Sequence, residues 1–587
     1  MKFKRCVSAF IMGIMLLQVT GCENFWKEAV NSNLGTTINK EDFDSGEDIH
    51  IRDKDLLYKN QNNKEIVTMY LTVSTGNSAE NTNHTWEEIN TYSAYDYEEM
   101  GVERYQVAGL LQVGDENGLI EGELGYGQVA PNCTVQIRGQ SSSRNAQKNY
   151  KISIKDNKGE WRGQQTIALN KHQTDGLRFR NKLAYDLLTG IEELLSLRTT
   201  FVRLYVKDTT AGGNGKFVDY GIYTQVEQLN KTALETHGLD KNGHLYKVNF
   251  CEFQRYADVI KLKTDPTYDL TAFEQILEVK GSDDHQKLIT LLEKINDYSI
   301  PIEDVIKEHF DIENLSYWMA FQLLMGNIDT QSRNFYIYSP LNSERWYILI
   351  WDCDGSLKRT ENQINGRIDY EEWESGVSNY WGNVLFQRCL KSETFRKELD
   401  KAVEDLRGYL SAGRVNSYVN TYASLLKPYI YSGRDKLYAP LTQANYTIVA
   451  NALAGEIEDN YKRYKESFEK PMPFFIGVPT VKGDRISVQW DASYDFAGDK
   501  IKYSVEVAKD YQFKELLIKQ EGIQIPVTEF DKLGPGQYFI RVKAIDESGK
   551  TQCAFDSYVL SNGKVYGTKC FYVNADGSIV EDVYVEE

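Results

Sequence analysis

The sequence predicts an α+β protein with a strand-rich part, a helical part and a C-terminal all-β part. Three patterns indicate this class. Alternating apolar and polar residues form short runs up to Asn249, apolar residues then recur at helical spacing, and short alternating runs return after Pro473. Because 587 residues exceed one ordinary core, we expect several domains, with boundaries after residues 22, 64 and 470.

Residues 1–22 have the composition of an export signal. Basic residues precede an apolar run from Val7 to Val19, which is too short to span a bilayer comfortably. The run leads into Val-Thr-Gly-Cys, which is similar to a bacterial lipobox, in which Cys22 receives a lipid after cleavage. We therefore predict a lipoprotein signal peptide and an exported protein, lipid-anchored on the outer face of the bacterial cell membrane. A plain signal peptide or a signal anchor is the alternative.

Residues 23–64 are polar and lack periodicity, which predicts a flexible tether. Beyond it, alternating runs predict a half-exposed, mostly antiparallel sheet. The runs are Ile66–Val73, Thr134–Arg138, Tyr150–Ile154 and Phe201–Val206. Apolar residues at helical spacing between Leu177 and Leu188 predict a helix that Gly190 ends.

The helical part includes a helix that begins after the capping candidate Asp311 and leads to Gly326 and Asp329. Helical spacing returns from Glu393 to Glu469, and prolines directly after it break the pattern. Residues 65–470 are therefore predicted to form one domain.

Two predicted strands, Asn334–Tyr338 and Trp346–Trp351, form a hairpin whose mouth carries polar side chains. Antiparallel pairing places the start of the first strand beside the end of the second, so Asp329, Asn334 and Asp352 come together. Their oxygen atoms suit a hard divalent cation such as Mg²⁺. Protein kinases use the same order of Asp, Asn and Asp to position an acceptor hydroxyl and hold magnesium.

The residues after Pro473 predict a β-sandwich and a C-terminal tail, because strand-like runs alternate with turn residues. The clearest runs are Ile486–Trp490, Lys502–Val507 and Gln537–Ala544. The segment Leu533–Tyr538, with Trp490 in an earlier run, resembles part of a fibronectin type III module. We expect residues 471–587 to contact a surface protein or a polysaccharide.

The composition argues against several kinds of partner and site. The chain has 67 basic and 85 acidic residues, a net charge of −18, which argues against a nucleic acid polymer as partner. The cysteines lack the spacing of a zinc site. Cys553 and Cys570 are the one pair whose spacing suggests a disulfide, and we expect the other thiols of the mature chain to be free and buried.

Four motifs in order resemble those of the CotH kinase family, which is named for a bacterial spore-coat protein. They are Arg138–Ser143, Lys148–Tyr150, Gly221–Tyr223 leading to Glu227, and Asp329–Asn334 together with Trp351–Gly355. An ordered set is more specific than any one motif. The resemblance implies an atypical, reduced protein-kinase-like fold of two lobes. It also implies transfer of phosphate from ATP to serine or threonine hydroxyls of a protein acceptor, with Mg²⁺ or Mn²⁺ as the metal.

The resemblance implies roles for the residues at the hairpin mouth. Asp329 would be the catalytic residue that orients the acceptor hydroxyl, and Asn334 and Asp352 would bind magnesium. The His-Arg pair of protein kinases is missing before Asp329. Asp352 to Gly355 also begin like a calcium loop, but the later ligands of such a loop are missing.

A second group of charged residues is implied to bind the nucleotide. Lys148 would neutralise the phosphates, and Glu227 would hold that lysine in place. Arg138 and Arg180 are further candidates for clamping phosphate. No kinase glycine-rich loop precedes Lys148. Lys151 remains an alternative to Lys148, because the two lysines are close together in the sequence. They lie three residues apart, which places them on opposite faces of a strand.

Two rival functions remain open. ATP is scarce outside a cell, which favours a non-catalytic surface protein, for binding, adhesion or scaffolding, on a kinase-like fold. Asp329 and Asp352 would alternatively form the carboxylate pair of a hydrolase that acts on polysaccharide or envelope polymers, although no feature of the sequence favours this class.

Overall fold

The computed structural model describes residues 50–582 with gaps at residues 52, 60, 331–332, 368–372 and 562. The predicted signal peptide, the predicted lipidation site Cys22 and residues 23–49 of the predicted tether lie outside the described residues. Within the described ranges, no helix is long and apolar enough to cross a bilayer. The described residues belong to one compact unit.

The strand-rich part forms one sheet. Its described strands are β1 (Ile66–Ser74), β2 (Val107–Asp115), β3 (Gly118–Leu119), β4 (Cys133–Arg138), β5 (Asn149–Ile154), β6 (Thr166–Asn170), β7 (Thr199–Asp208) and β8 (Phe217–Glu227). Their order is β1-β7-β8-β6-β5-β4-β2-β3, and β1 also pairs with β2, which closes the sheet into a ring. Buried side chains such as Leu71, Leu111 and Ile152 form its apolar core. The predicted strands and their mostly antiparallel pairing are confirmed.

Helices dominate the part of the chain after β8, and three further described helices lie between the strands of the first sheet in sequence. This mixture confirms the α+β class. The described helices are α1 (Trp86–Thr91), α2 (Ala94–Met100), α3 (Arg180–Leu188), α4 (Lys231–His237), α5 (Leu270–Ile276), α6 (Gln286–Asn296), α7 (Ile302–His309), α8 (Ile312–Met325), α9 (Arg359–Ile364), α10 (Val384–Lys391), α11 (Glu393–Tyr409), α12 (Ala412–Ile430) and α13 (Gln443–Ser467). The Asp311 carboxylate accepts hydrogen bonds from the first turn of α8, as its capping position predicts. Almost every side chain of α8 is buried.

A second sheet positions the predicted hairpin. Its described strands are β9 (His244–Val248), β10 (Leu277–Val279), β11 (Phe335–Ser339) and β12 (Tyr347–Ile350). They pair antiparallel in the order β10-β9-β11-β12. The side chains of β11 and β12 are buried throughout. Asn314 on α8 accepts a hydrogen bond of 2.7 Å from the backbone of Ile348, which fixes the hairpin to the buried helix.

Residues Phe474–Asp582, which we call the C-terminal module, fold into short strands. Those described are β13 (Thr480–Lys482), β14 (Arg485–Gln489), β15 (Lys502–Ala508), β16 (Leu516–Ile523), β17 (Val527–Asp531), β18 (Gly536–Ile545), β19 (Thr551–Cys553), β20 (Ser557–Leu560), β21 (Gly563–Tyr566), β22 (Thr568–Val573) and β23 (Ile579–Glu581). One sheet has the order β13-β14-β17 and another β16-β15-β18-β22-β23. Both contribute to one apolar core, with Val488 and Ile540 as examples.

The predicted disulfide between Cys553 and Cys570 is wrong. The structure contains both residues as buried thiols. Cys553 pairs with Lys543 of β18, whereas Cys570 pairs with Phe539 of the same strand. Four residues of strand separate these positions by about 13 Å, which is beyond the reach of a disulfide. Closeness in sequence therefore did not imply closeness across the sheet.

Two described residues of the predicted tether, Asp53 and Gln61, contact the folded body. Asp53 Oδ1 lies 2.6 Å from His237 Nδ1, and the other ring nitrogen of His237 lies 3.0 Å from Glu227. Gln61 donates a hydrogen bond of 2.7 Å to Asp186 on α3. These residues attach to the folded body through polar contacts, which a search for apolar periodicity does not detect.

The cluster around His237 makes stability depend on pH. Burial acts to lower the pKa of His237, but its hydrogen bonds with Asp53 and Glu227 outweigh burial and raise the pKa to about 9. Burial acts to raise the pKa of Glu227, but hydrogen bonds from His237 and Arg198 lower it to about 2. Both groups are therefore charged at neutral pH.

We expect the His237 cluster to weaken in alkaline solution. A histidine in an unfolded chain titrates near pH 6.5, so the charged imidazole stabilises the fold fully below about pH 6.5 and stops doing so as the pH rises through about 9. The loss should be on the order of 3 kcal/mol in the free energy of unfolding. Urea unfolding between pH 6 and 9.5 measures it, and His237→Gln should flatten the dependence. His84→Gln is the control, because His84 contacts the amide of Asn81 and no carboxylate in the described contacts.

Candidate active site

The hairpin brings the predicted residues to one place. Phe335 pairs with Ile350, and the backbone N–H of Trp351 donates a hydrogen bond of 3.3 Å to the carbonyl of Asn334. The side-chain amide of Asn334 donates a hydrogen bond of 2.5 Å to the carbonyl of Asp329. Asn334 therefore links Asp329 to the strand end that precedes Asp352, as the hairpin geometry predicts.

The loop that carries Asp329 is held on both sides. Gly326 ends α8 in the left-handed conformation, with φ of 56°. The amide of Asn379 donates a hydrogen bond of 3.2 Å to the carbonyl of the residue before Asp329. The hydroxyl of Thr330, the residue after it, donates a hydrogen bond of 3.3 Å to the buried hydroxyl of Tyr380. The backbone around Asp329 is thus positioned by contacts from a distant part of the chain.

Asp352 leaves β12 with a left-handed backbone, at φ of 51°, which is uncommon for a residue other than glycine. Tyr185 and Asn181, both on α3, hold this backbone. The Tyr185 hydroxyl accepts a hydrogen bond of 3.1 Å from the N–H of Asp352, and the Asn181 side chain accepts one of 3.0 Å from the N–H of Cys353. The Asn181 amide also donates a hydrogen bond of 3.3 Å to the Asp352 carboxylate.

Asp354 lies beside Asp352 and affects its charge. Burial and the neighbouring Asp354 raise the pKa of Asp352 to about 6. Burial acts to raise the pKa of Asp354 as well, but a hydrogen bond from His172 lowers it to about 2. His172 Nδ1 lies 3.1 Å from Asp354. Two acidic groups are therefore crowded together in a place where a cation would stabilise both.

The oxygen atoms at the hairpin mouth fit a hard divalent cation. Asp352 and Asp354 contribute carboxylate oxygens. The side-chain oxygen of Asn327 is buried and finds no hydrogen-bond partner among the described residues. A Cβ atom at Gly355 would stand 3.1 Å from this oxygen and 3.9 Å from the Cβ of Asp329, so the glycine keeps that space open. Carboxylate and amide oxygens are the ligands that Mg²⁺ prefers.

Basic side chains from two sheets surround the hairpin mouth. Burial lowers the pKa values of both Arg138 and Lys247, and the nearby charge of Asp352 acts in the opposite direction on each. Lys247 lies 3.5 Å from Glu278 on the paired strand β10, and Lys280 lies 2.7 Å from the same carboxylate. Burial and the nearby charges of Lys280 and Arg138 lower the pKa of Lys151. These neighbours form a basic surface of the kind that binds phosphate groups.

The predicted pairing of Lys148 with Glu227 is wrong. The Lys148 ammonium donates a hydrogen bond of 2.6 Å to the carbonyl of Ser143, whereas Glu227 contacts Arg198 and His237. The strand register explains this separation. Glu227 pairs with Ile167 on β6, and Ile167 pairs with Ile152 on β5. Lys148 directly precedes β5 and lies four residues before Ile152, so it is displaced along the strand from the position opposite Glu227.

Arg180 does not have the surroundings of the predicted phosphate clamp. Its guanidinium is fully buried and binds the carboxylates of Asp175 and Glu361. It also donates a hydrogen bond of 3.1 Å to the carbonyl of Leu357. Both carboxylates bind Nη1, and Nη2 is buried without a hydrogen-bond partner among the described residues. Arg180 thus fixes the segment after Gly355 to α3, and its burial leaves no exposed face for a ligand.

Sequence reasoning missed several residues of the site. His172, Asn181 and Tyr185 reach the hairpin from elements more than 150 residues earlier in the sequence. Lys247 was also missed, although a lysine in an otherwise apolar strand was a usable signal. The other residues carried no local signal that distinguished them from core side chains.

Comparison with known proteins places this site in a family. A family model described as "CotH kinase protein" matches residues 135–464, more than half of the chain. The chain belongs to the CotH kinase protein family. It is also similar to the "Inner spore coat protein H" of Bacillus subtilis (strain 168), with 24% identity over 275 residues, which are 46% of this chain and 69% of that protein.

A crystal structure of the Helicobacter pylori proinflammatory kinase CtkA aligns with 54% of this chain and 94% of that chain. The identity is 13% and the TM-score is 0.26, which is too low to define a shared fold. The range that matches the CotH family contains Arg138, Lys247, Asp329 and Asp352, and it ends before the C-terminal module.

Proposed function

We propose that this CotH family member is an exported, lipid-anchored kinase that transfers phosphate from ATP to a serine or threonine hydroxyl of a surface or coat protein. The observation that carries the proposal is the hairpin mouth, where Asn334 links Asp329 to the strand end before Asp352. Family membership supports phosphate transfer as the reaction class. The fold would be a reduced kinase-like one with two lobes, the closed sheet and the helical part.

The residues at the hairpin mouth match the needs of phosphate transfer. Asp329 would orient the acceptor hydroxyl and take its proton as the hydroxyl oxygen bonds to the γ-phosphorus, while the bond from that phosphorus to the bridging oxygen breaks and ADP leaves. Asn334 and Asp352 would hold Mg²⁺, with Asp354 adding negative charge nearby. When bound, the metal neutralises charge on the phosphate groups. The side chains of α3 keep the Asp352 backbone in the conformation that this role requires.

Lys247 is our preferred residue for neutralising the nucleotide phosphates. It lies beside Glu278, which would hold its ammonium in place, and its charge acts on Asp352. Arg138 is a further phosphate ligand, since Asp352 also influences its pKa. Lys148 and Lys151 stay as alternatives, and Lys148 already donates to the carbonyl of Ser143.

Labelled ATP tests the function directly. The full-length protein is incubated with γ-labelled ATP and Mg²⁺ or Mn²⁺, together with a generic serine-rich acceptor. Incorporation of label into the protein or the acceptor supports the proposal. A correctly folded protein that neither binds nucleotide nor transfers label would instead favour the non-catalytic surface protein.

We expect Lys247→Met to weaken ATP binding by about tenfold or more, because a charge-assisted contact to phosphate is worth about 1.5–3 kcal/mol. A fluorescent nucleotide titrated in Mg²⁺ measures the affinity. Lys155→Met is the control, because Lys155 forms its ion pair with Glu80 on the surface. If Lys148→Met weakens binding and Lys247→Met does not, the phosphate lysine is Lys148.

The C-terminal module would be a fibronectin type III-like β-sandwich that places the kinase relative to a surface protein or a polysaccharide. Its two sheets and shared apolar core support this assignment. Its Tyr538 hydroxyl donates a hydrogen bond of 2.8 Å to the carbonyl of Gly534, at the segment that suggested the module in the sequence. A lipid on Cys22 would hold the protein at the membrane.

A further inference from the structure

The loop that carries Asp329 rests on a segment that follows it by more than forty residues. We call Trp373–Trp381 the support segment, and it includes the short 3₁₀ helix Gly376–Tyr380. As described above, Asn379 and Tyr380 bind the residues on either side of Asp329, at 3.2 and 3.3 Å. Tyr380 is 1% exposed, and its ring packs edge-on against Trp318 of α8. The end of the support segment nearest the loop is therefore fixed to the core.

The other end of the support segment is held by the C-terminal module. The Glu374 carboxylate accepts hydrogen bonds from the Tyr566 hydroxyl and, at 3.1 Å, from the Lys564 ammonium. The Glu374 side chain is only 7% exposed, and a buried carboxylate needs hydrogen-bond donors such as these. The ring of Trp373 packs edge-on against Phe555 at 5.2 Å. We call Phe555, Lys564 and Tyr566 the clasp.

Further contacts join the support segment to the same module. The side-chain amide of Gln552 donates a hydrogen bond of 3.3 Å to the Ser378 hydroxyl, in the buried interface. The ring of Trp381 lies 5.3 Å from that of Tyr494. The helical part contributes as well, since Ser467 at the end of α13 accepts a hydrogen bond of 3.1 Å from the N–H of Val377. The module and α13 thus share the task of fixing the segment.

We propose that the C-terminal module positions the catalytic loop through the support segment, so that the clasp is part of the machinery that keeps Asp329 in place. The contacts are continuous: the clasp binds Glu374, the support segment runs to Asn379 and Tyr380, and these bind both neighbours of Asp329. The effect on catalysis rests on the kinase function proposed above, whereas the mechanical coupling does not. Displacing a reactive group by about 1 Å costs up to about a hundredfold in rate. Because Ser467 also holds the segment, we expect loss of the clasp to lower the turnover by about tenfold only.

The test removes both donors to Glu374 from the full-length protein in the variant Lys564→Met/Tyr566→Phe. The matched control is Lys543→Met/Tyr572→Phe, which makes the same changes at exposed positions of β18 and β22. A conservative variant, Lys564→Arg, keeps the charged donor and should behave like the parent. Hydrogen exchange followed by mass spectrometry reports on the peptides that contain Ile328–Thr330 and Trp373–Trp381.

We expect several-fold faster exchange in both peptides of the clasp variant, and parental exchange in the control and in Lys564→Arg. Turnover of phosphate transfer should fall about tenfold in the clasp variant, with nucleotide affinity unchanged within about twofold. A merely structural role would speed exchange at Trp373–Trp381 and leave Ile328–Thr330 as in the parent, and that result would overturn the proposal. Unchanged exchange in both peptides would overturn it too.

The two proposals fail separately. If the parent protein transfers no phosphate, the proposed kinase function is wrong, but the exchange data still decide whether the module positions the loop. If the parent is active and the clasp variant exchanges and turns over like the control, the coupling is wrong and the kinase function stands.

Discussion

Asp329→Asn should reduce phosphate transfer by about a thousandfold, while leaving ATP affinity within about twofold of the parent. A positioned general base contributes about 10²- to 10⁴-fold to rate. The substitution removes the carboxylate charge but keeps the size of the side chain, so the packing around Asp329 should be preserved. Asp329 is assigned to the acceptor hydroxyl and not to the nucleotide, so turnover should change and binding should not. Single-turnover transfer of labelled phosphate measures this.

Asp258→Asn is a suitable control for Asp329→Asn, because Asp258 is exposed in a loop. It should have parental turnover. A variant at Asp329 that keeps more than about a tenth of the parental turnover would show that another group accepts the proton. Loss of nucleotide binding together with turnover would move Asp329 into the nucleotide site.

The hairpin was predictable because its information is local. The strand-forming residues around Ile337 and Ile348 pair directly across a short turn, so two runs of strand-forming residues and the turn chemistry between them were enough to place Asp329 near Asp352. Asp311 was equally predictable, since a capping side chain acts on the helix that it precedes. Both predictions concern contacts between neighbours in sequence.

Contacts across several strands were not predictable in the same way. The pairing of Lys148 with Glu227 required the register of β5, β6 and β8, and a single sequence does not specify which strands are neighbours. Nothing near Glu374 indicates that its partner is Tyr566, 192 residues later. The sequence therefore predicted the site residues that lie close together along the chain. It did not predict the contacts that the fold makes between distant segments.

The surroundings of Asp352 suggest that the folded state is strained before a cation binds. A carboxylate whose pKa is raised from about 4 to about 6 destabilises the fold at neutral pH, and this loss develops as the pH rises through that range. Asp354 remains charged, because His172 supports it. The left-handed backbone at Asp352 adds to the strain. Such strain is expected where a bound ligand relieves it.

Asp352→Asn should therefore separate metal binding from stability. We expect the affinity for ATP in Mg²⁺ to fall by about a hundredfold or more, since even residues that only orient a metal ligand change affinity by about 10- to 100-fold. Without metal, the melting temperature of the variant should equal or exceed that of the parent, because one of two crowded charges is gone. Added Mg²⁺ and ATP should raise the melting temperature of the parent but not that of Asp352→Asn.

Thermal unfolding and nucleotide titration, each with and without Mg²⁺, make this prediction testable at neutral pH. Asp258→Asn serves again as the control and should respond to Mg²⁺ and ATP like the parent. An Asp352→Asn variant that is less stable than the parent without metal would mean that the carboxylate holds the loop through hydrogen bonds such as that from Asn181. A variant that still gains stability from Mg²⁺ and ATP would place the metal elsewhere. The predicted combination, equal or higher stability with lost metal response, is the behaviour of a residue retained for ligand binding at the expense of folding.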